Sequence, residues 1–245
     1  MVVEVPLNKR IQTHAEIMGR HGEGERWAEQ LIDDGRNRGV WISGPPGTPP
    51  DPHIHPDFNE WWIALDGSTE WQIGQYEPVH SAWGDVIMAP AGYCHIIEPK
   101  QGVQAIRFGI THPDSNHDIK GIKPCRYVPV DAGQSSPNLI HTKLQDVVAR
   151  IGDNSNWVEL IVSDERNYST YIHELPGTFN QPDVHADENR WWVVVQGKVE
   201  WDIAGQEINT TGPGDVVFVD AGVSYSTKTV GNEPSIRISV EAPKS

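Results

Sequence analysis

Cysteine is nearly missing from this chain: Cys94 and Cys125 are its only two thiols in 245 positions. Two thiols cannot build a disulfide framework, and their scarcity fits a reducing compartment. Positive charge is also thin. Nineteen Lys and Arg stand against thirty-four Asp and Glu, a formal net charge of −15. Such a field repels phosphate backbones and anionic lipid, so neither nucleic acid nor a membrane is an expected partner. No apolar run reaches the ~18–20 residues of a membrane span. Met1–Arg10 lacks the apolar stretch of a secretory signal, which makes the cytoplasm the expected location. Helical periodicity is scarce as well. It is confined to Glu25–Asp34, stopped by Gly35, and Thr142–Ile151, stopped by Gly152.

Glycine (23), proline (19) and tryptophan (10) are plentiful, and hydrophobic residues, at 37 %, suffice for a sizeable core. Apolar segments such as Trp61–Leu65, Asp85–Ala89, Trp191–Gln196 and Asp215–Val219 are short, rich in Val, Ile and Trp, and bounded by Gly, Pro or Asp. They read as buried strands of an all-β sandwich or barrel. A single offset of 130 residues relates His55 to His185, Trp61-Trp62 to Trp191-Trp192, Glu70-Trp71 to Glu200-Trp201 and Gly84-Asp85-Val86 to Gly214-Asp215-Val216. The same offset carries Gly47-Thr48 onto Gly177-Thr178 and Ile106-Arg107 onto Ile236-Arg237 without a gap. Two homologous β domains explain that register. The expected organisation is an N-terminal arm with a short helix (1–35), a first barrel (36–122), a linker with a short helix (123–158) and a second barrel (159–245).

The first copy concentrates metal-ligating side chains: His53-Ile54-His55, then Glu60, then His95 after the turn Pro90-Ala91-Gly92. On a strand, two histidines two apart share a face. Glu60 opens the next strand, so a hairpin-like reversal would set its carboxylate beside them. Three imidazoles and one carboxylate make a mixed N/O site for a divalent transition ion. On an octahedral ion, four protein ligands leave two positions for water, dioxygen or substrate.

These residues resemble the cupin motifs. Gly47, five residues, His53-x-His55, four residues, Glu60, six residues and Gly67 match the first motif, and Gly84, five residues, Pro90-x-Gly92, two residues and His95 match the second. Pro99 replaces the second motif's usual terminal Asn. The resemblance covers about residues 36–110 and 160–242 and implies two tandem cupin jelly-roll barrels. It also implies one metal per chain, held by His53, His55, Glu60 and His95. Fe(II) comes first, with Mn, Zn, Ni or Cu as alternatives.

The second copy has Asp183 for His53, retains His185, and has Arg190 for Glu60 and Tyr225 for His95. A guanidinium at the carboxylate position repels a dication, so this barrel reads as metal-free with a structural or substrate-shaping role. The expected partner of Arg190 is Asp183 or another internal acid; a polar pocket for an anionic ligand around Arg190 and Tyr225 is the alternative.

Strand parity makes Trp62 and Tyr93 candidate pocket walls, with Cys94 facing away as a small core residue. Trp41 could stack on a planar substrate. Arg107 could clamp a substrate carboxylate or pair with a structural acid, and its equivalence to Arg237 in the metal-poor half favours the structural role. The outward rows Trp61, Ile63, Leu65 and Trp191, Val193, Val195 suit packing between barrels or subunits, and a homo-oligomer is expected. The cupin resemblance implies a metal-dependent oxidoreductase, first a dioxygenase acting on a small organic substrate. The alternatives are a non-oxidative lyase, isomerase or hydrolase, with Tyr93 or His80 as proton carriers, and a non-catalytic small-molecule-binding protein.

Overall fold

The computed structural model describes residues 7–22, 24–66, 69–100, 102, 104–114 and 136–244. Along the first half run β1 (Ile11–Gln12), α1 (His14–Gly19), β2 (Trp27–Asp33), β3 (Arg38–Gly44), β4 (Glu60–Asp66), β5 (Thr69–Ile73), β6 (Val79–His80), β7 (Val86–Ala89), β8 (His95–Pro99) and β9 (Ala105–Thr111). The second half holds β10 (His141–Thr142), α2 (Leu144–Ile151), β11 (Trp157–Ser163), β12 (Tyr168–Glu174), β13 (Phe179–Val184), β14 (Arg190–Gln196), β15 (Lys198–Ile203), β16 (Asn209–Thr211), β17 (Val216–Val219), β18 (Ser224–Val230) and β19 (Ser235–Glu241). Among the described residues no helix is long and apolar enough to cross a membrane.

The chain forms two compact units, one built on His21–Leu144, the other on Asn8–Arg20 with Gln145–Ser245. In the first, a six-stranded antiparallel sheet in the order β10-β7-β4-β9-β3-β2 accompanies a three-stranded sheet, β6-β5-β8. In the second, β1-β17-β14-β19-β12-β11 accompanies β13-β18-β15-β16. The duplication is visible in the hydrogen-bond register. Ile42 faces Arg107 across β3 and β9, and Ile172 faces Arg237 across β12 and β19. Even the irregularities repeat: bulges at Gln30/Ile32 and Ala64/Asp66 recur at Leu160/Val162 and Val194/Gln196.

Each unit buries a matching tryptophan pair. Trp62 and Trp71 lie 5.0 Å apart, Trp192 and Trp201 5.1 Å apart. The indole of Trp71 donates to Ser81 Oγ and that of Trp201 to Thr211 Oγ1, so the two rings are buried without leaving an N–H unpaired. Gly109 keeps the inner face open for this packing: a Cβ there would meet Trp62 at 3.1 Å. The outward rows Trp61, Ile63, Leu65 and Trp191, Val193, Val195 are buried within the chain itself.

The helix expected over Glu25–Asp34 is instead the strand β2, and the helix of the N-terminal arm is α1. The β2 bulge explains the misreading. It lets the neighbours Leu31 and Ile32 both be fully buried, which imitates a helical stripe, while pairing with β3 decides the conformation. The helix expected over Thr142–Ile151 is present as α2. The first part of the expected linker, residues 123–135, together with Gly67 and Val103, lies outside the described residues, and Cys125 falls within that part.

Candidate metal centre

The first barrel brings its four expected donors together. Strand β4 starts at Glu60, β8 starts at His95, and His53 is bridged to His95 by two backbone hydrogen bonds. His53 therefore stands on a single β-bridge rather than within a strand. His55 Nε2 lies 2.8 Å from Glu60 Oε2, and His95 Nε2 lies 3.2 Å from that same oxygen. His53 Nε2 is 3.8 Å from Glu60 Oε2 and 2.8 Å from His95 Nε2. One donor atom from each of the four residues falls within 4.8 Å of the others. Around an ion with bonds of about 2.1 Å, donors at right angles lie about 3 Å apart. The cluster could hold a metal ion.

The outer contacts agree with that geometry. His53 Nδ1 lies 2.6 Å from the Asp51 carbonyl and His95 Nδ1 3.4 Å from that of Tyr93. When Nδ1–H donates to a carbonyl, the Nε2 lone pair is left facing the centre. Phe58 stacks on the His55 ring at 4.6 Å, and Trp62 meets the His95 ring edge-on at 5.1 Å. His55 and His95 are almost fully buried.

Charge is shared unequally among these four side chains. Burial pushes the Glu60 carboxyl up, but the three surrounding imidazoles hold it well below the usual carboxylate range. Burial lowers His53, yet Glu60 and the Asp51 carbonyl outweigh it and the imidazole is raised. In His95, burial prevails and the value is lowered.

The other candidates divide by sheet face. Arg107, Ala64 and Ile42 are neighbours in register and share the face that carries Trp62 and Glu60. Trp41 pairs with Phe108 on the opposite face, at 5.8 Å, so it does not wall the cluster. Tyr93 is buried in the core with Trp62, Trp71 and Ile73. His80 sits on β6 opposite Glu70, three residues along β5 from the position that faces His95, and its side chain is half exposed. Cys94 is buried. Sequence reasoning missed Phe58 and the small pocket beside His53, which Arg26, Gly44, Thr48, Asp51 and Arg107 help to line.

In the second barrel the equivalent residues also converge, with different chemistry. His185 Nε2 lies 2.9 Å from the Tyr225 hydroxyl and 3.1 Å from Asp183 Oδ2. Arg190 donates to Glu188 at 2.6 Å and pairs with Glu241 at 3.1 Å, so its partners are these two acids rather than Asp183. Burial pushes the Tyr225 hydroxyl up to about 12. A pocket of about 510 Å³ adjoins Arg190, Tyr225, Asp183 and Trp192.

A family model described as a cupin domain matches residues 171–241, within the second repeat. No curated protein matches the chain. Among solved structures, a cupin 2 conserved barrel domain protein from Leptotrichia buccalis is similar over 99% of this chain and 100% of its own, with TM-score 0.69 and 12% identity. An oxalate decarboxylase variant from Bacillus subtilis is similar over 97% of this chain and 78% of its own (TM-score 0.60, 14% identity). A Lactobacillus farciminis oxalate decarboxylase in a formate complex covers 91% and 83% (TM-score 0.58, 15% identity). With the sheet order and the repeated register, these likenesses show a nearly all-β fold of the cupin jelly-roll kind, whose two compact units share the order of their six-stranded sheets.

Proposed function

We propose that the first barrel is the centre of a metal-dependent enzyme acting on a small organic substrate, with a divalent transition ion on His53, His55, Glu60 and His95. The convergence of three Nε2 atoms and one carboxylate oxygen at ion-sized spacing carries this reading. Bound there, such an ion supplies Lewis acidity and, as Fe(II), electron transfer to dioxygen. The chain's own part is to hold and shield. The Asp51 and Tyr93 carbonyls orient two imidazoles, Glu60 provides the single formal negative charge, and Phe58 and Trp62 exclude water from one side. Four donors on an octahedral ion would leave two places for reactants, room enough for a substrate and dioxygen together, the dioxygenase reading put first here.

A second reading is non-oxidative, a lyase of the decarboxylase kind. The observation favouring it is that two of the similar structures are oxalate decarboxylases. The second barrel, with Arg190 held by Glu188 and Glu241, is proposed to shape and support the chain without a metal. A homo-oligomer remains part of the proposal, to be read by light scattering.

Metal analysis of the purified protein, followed by a screen of small organic acids and phenols with and without oxygen, tests these readings. Iron with substrate-dependent oxygen uptake is the expected result. Turnover that is indifferent to oxygen would replace the dioxygenase with the lyase. Turnover that survives His55→Ala would overturn every metal-centred version.

A further inference from the structure

The two barrels are an internal comparison, and they differ most tellingly around one arginine. Arg237 of β19 and Arg107 of β9 are equivalent through the 130-residue repeat. In the second barrel, Arg237 donates through both terminal nitrogens to the Glu174 carboxylate at 2.8 and 2.9 Å. Asn180 and Thr229 add hydrogen bonds to that carboxylate. Arginine, amide and hydroxyl thus form a filled carboxylate site.

In the first barrel the arginine remains and the acid does not. Gly44 stands where the repeat places Glu174, and Pro50 and Pro99 stand for Asn180 and Thr229. A Cβ on Gly44 would lie 3.8 Å from an Arg107 terminal nitrogen. Among the described residues, no acid forms an ion pair with Arg107; its buried Nε has no hydrogen-bond partner, as in Arg237, so the difference lies at the terminal nitrogens. Its guanidinium lies over the Trp71 face at 5.9 Å, just as that of Arg237 lies over Trp201. A buried guanidinium without a counter-ion is costly. Glu60 lies within electrostatic reach but is already surrounded by three imidazoles.

Instead of a carboxylate, the first barrel has a cavity of about 80 Å³, lined by Arg107, Gly44, Thr48, Arg26, Asp51 and His53 among others. Roughly 10–15 Å³ by this measure admits one water, so there is room for a small polar group. Two guanidinium groups outnumber the one exposed carboxylate of Asp51, and His53 belongs to both the cavity and the metal cluster.

We propose that this cavity is a carboxylate subsite in which Arg107 binds the acid group of a small organic-acid substrate, in the place that Glu174 fills in the second barrel. The assignment of substrate class rests on the metal-centre reading; the carboxylate subsite stands on the arginine and the cavity alone. A cationic amine is repelled there, and a neutral analogue leaves the guanidinium unpaired.

The test uses malonate, with malonamide as its neutral analogue, titrated calorimetrically into the full chain both metal-free and loaded with Mn(II). Two variants accompany the wild type. Arg107→Gln removes the fork and adds no atoms; Gly44→Glu restores the acid of the second barrel and keeps the arginine paired, though its Cβ approaches Pro99 Cγ at 3.0 Å, so each variant covers a folding failure of the other. Malonate is expected to bind the wild type, and malonamide about tenfold or more weaker. Both variants are expected to lose malonate affinity about tenfold or more, while binding Mn(II) as the wild type does. Equal malonate binding by wild type and folded variants, equal binding of malonamide, or no malonate binding by the wild type in either state overturns the subsite. If Mn(II) fails to bind yet malonate binding still depends on Arg107, the metal centre falls and the subsite stands.

Discussion

Glu60 Oε2 lies 2.8 Å from His55 Nε2, although the two residues belong to opposite sides of the turn that leads into β4. The carboxylate also stands 3.2 Å from His95 Nε2, so it is the common neighbour of the imidazoles. Replacing it with an amide removes the formal charge while conserving shape. Glu60→Gln is expected to weaken Mn(II) or Fe(II) binding by roughly a hundredfold or more, since loss of even an outer-sphere partner costs 10–100-fold. Metal titration and metal content after dialysis check it; wild-type stoichiometry in the variant would remove Glu60 from the ligand set.

Acid should oppose metal binding, with a sign set by His53. Its imidazole is raised because Glu60 and the Asp51 carbonyl overcome the effect of burial, so near the ordinary imidazole value the metal-free protein still holds that proton. A metal must expel it, and apparent affinity therefore climbs as pH rises through the raised value. Affinity is the useful readout because stability carries opposing contributions. The raised His53 stabilises the metal-free fold at low pH and loses that contribution as pH rises, whereas the lowered His95 acts in the reverse sense. Calorimetry in buffers of different ionisation enthalpy should show proton release near neutrality. Buffer-independent heats would refute this account.

In the second barrel, Glu174 and Arg237 form a buried bidentate pair. Glu174→Gln leaves the guanidinium without its charge partner and is expected to cost about 3 kcal/mol in urea unfolding. Burial raises the Glu174 carboxyl, but Arg237 and the hydrogen bonds from Asn180 and Thr229 prevail and lower it. Its stabilising contribution is thus present above the ordinary carboxylate range and lost as pH falls through the lowered value. The variant should have a flatter acid limb than the wild type, and parallel limbs would count against the pair.

Asp85 ties β10 and the start of α2 to the first barrel: it accepts from the Ala82 and Leu144 amides at 2.9 and 3.0 Å, and lies 2.9 Å from His141 Nε2. Asp215 repeats the arrangement by accepting from the Gly212 and His14 amides at 2.8 Å. Asp85→Ala leaves two amides unsatisfied and is expected to cost about 3 kcal/mol. Thermal unfolding with Asp215→Ala in parallel checks it; a loss below about 1 kcal/mol would mean that water replaces the carboxylate.

Much of the candidate site could be read before folding because its spacing is local. His53, Ile54 and His55 announce a shared donor pair, Glu60 follows within one turn, and Pro90-Ala91-Gly92 marks the entry to His95. The pocket around Arg107 was legible only in part. The repeat exposed the equivalence with Arg237, and that equivalence argued for a structural role. The decisive difference, Gly44 against Glu174, was printed at the same offset, but no local pattern says that a residue of β3 reaches an arginine of β9.

The sequence by itself determined the duplication, the all-β character, and the four donors in the first repeat with the replacement of three of them in the second. These are properties of composition, period and short spacing, and they survive any arrangement of the strands. Only the tertiary structure decided that Trp27–Asp33 is a strand, that Trp41 faces away from the cluster, that Arg190 is held by Glu188 and Glu241, and that among the described residues no acid forms an ion pair with Arg107. Each depends on cross-strand register and bulges, where a shift of one residue moves a side chain to the other face, and on partners far apart along the chain.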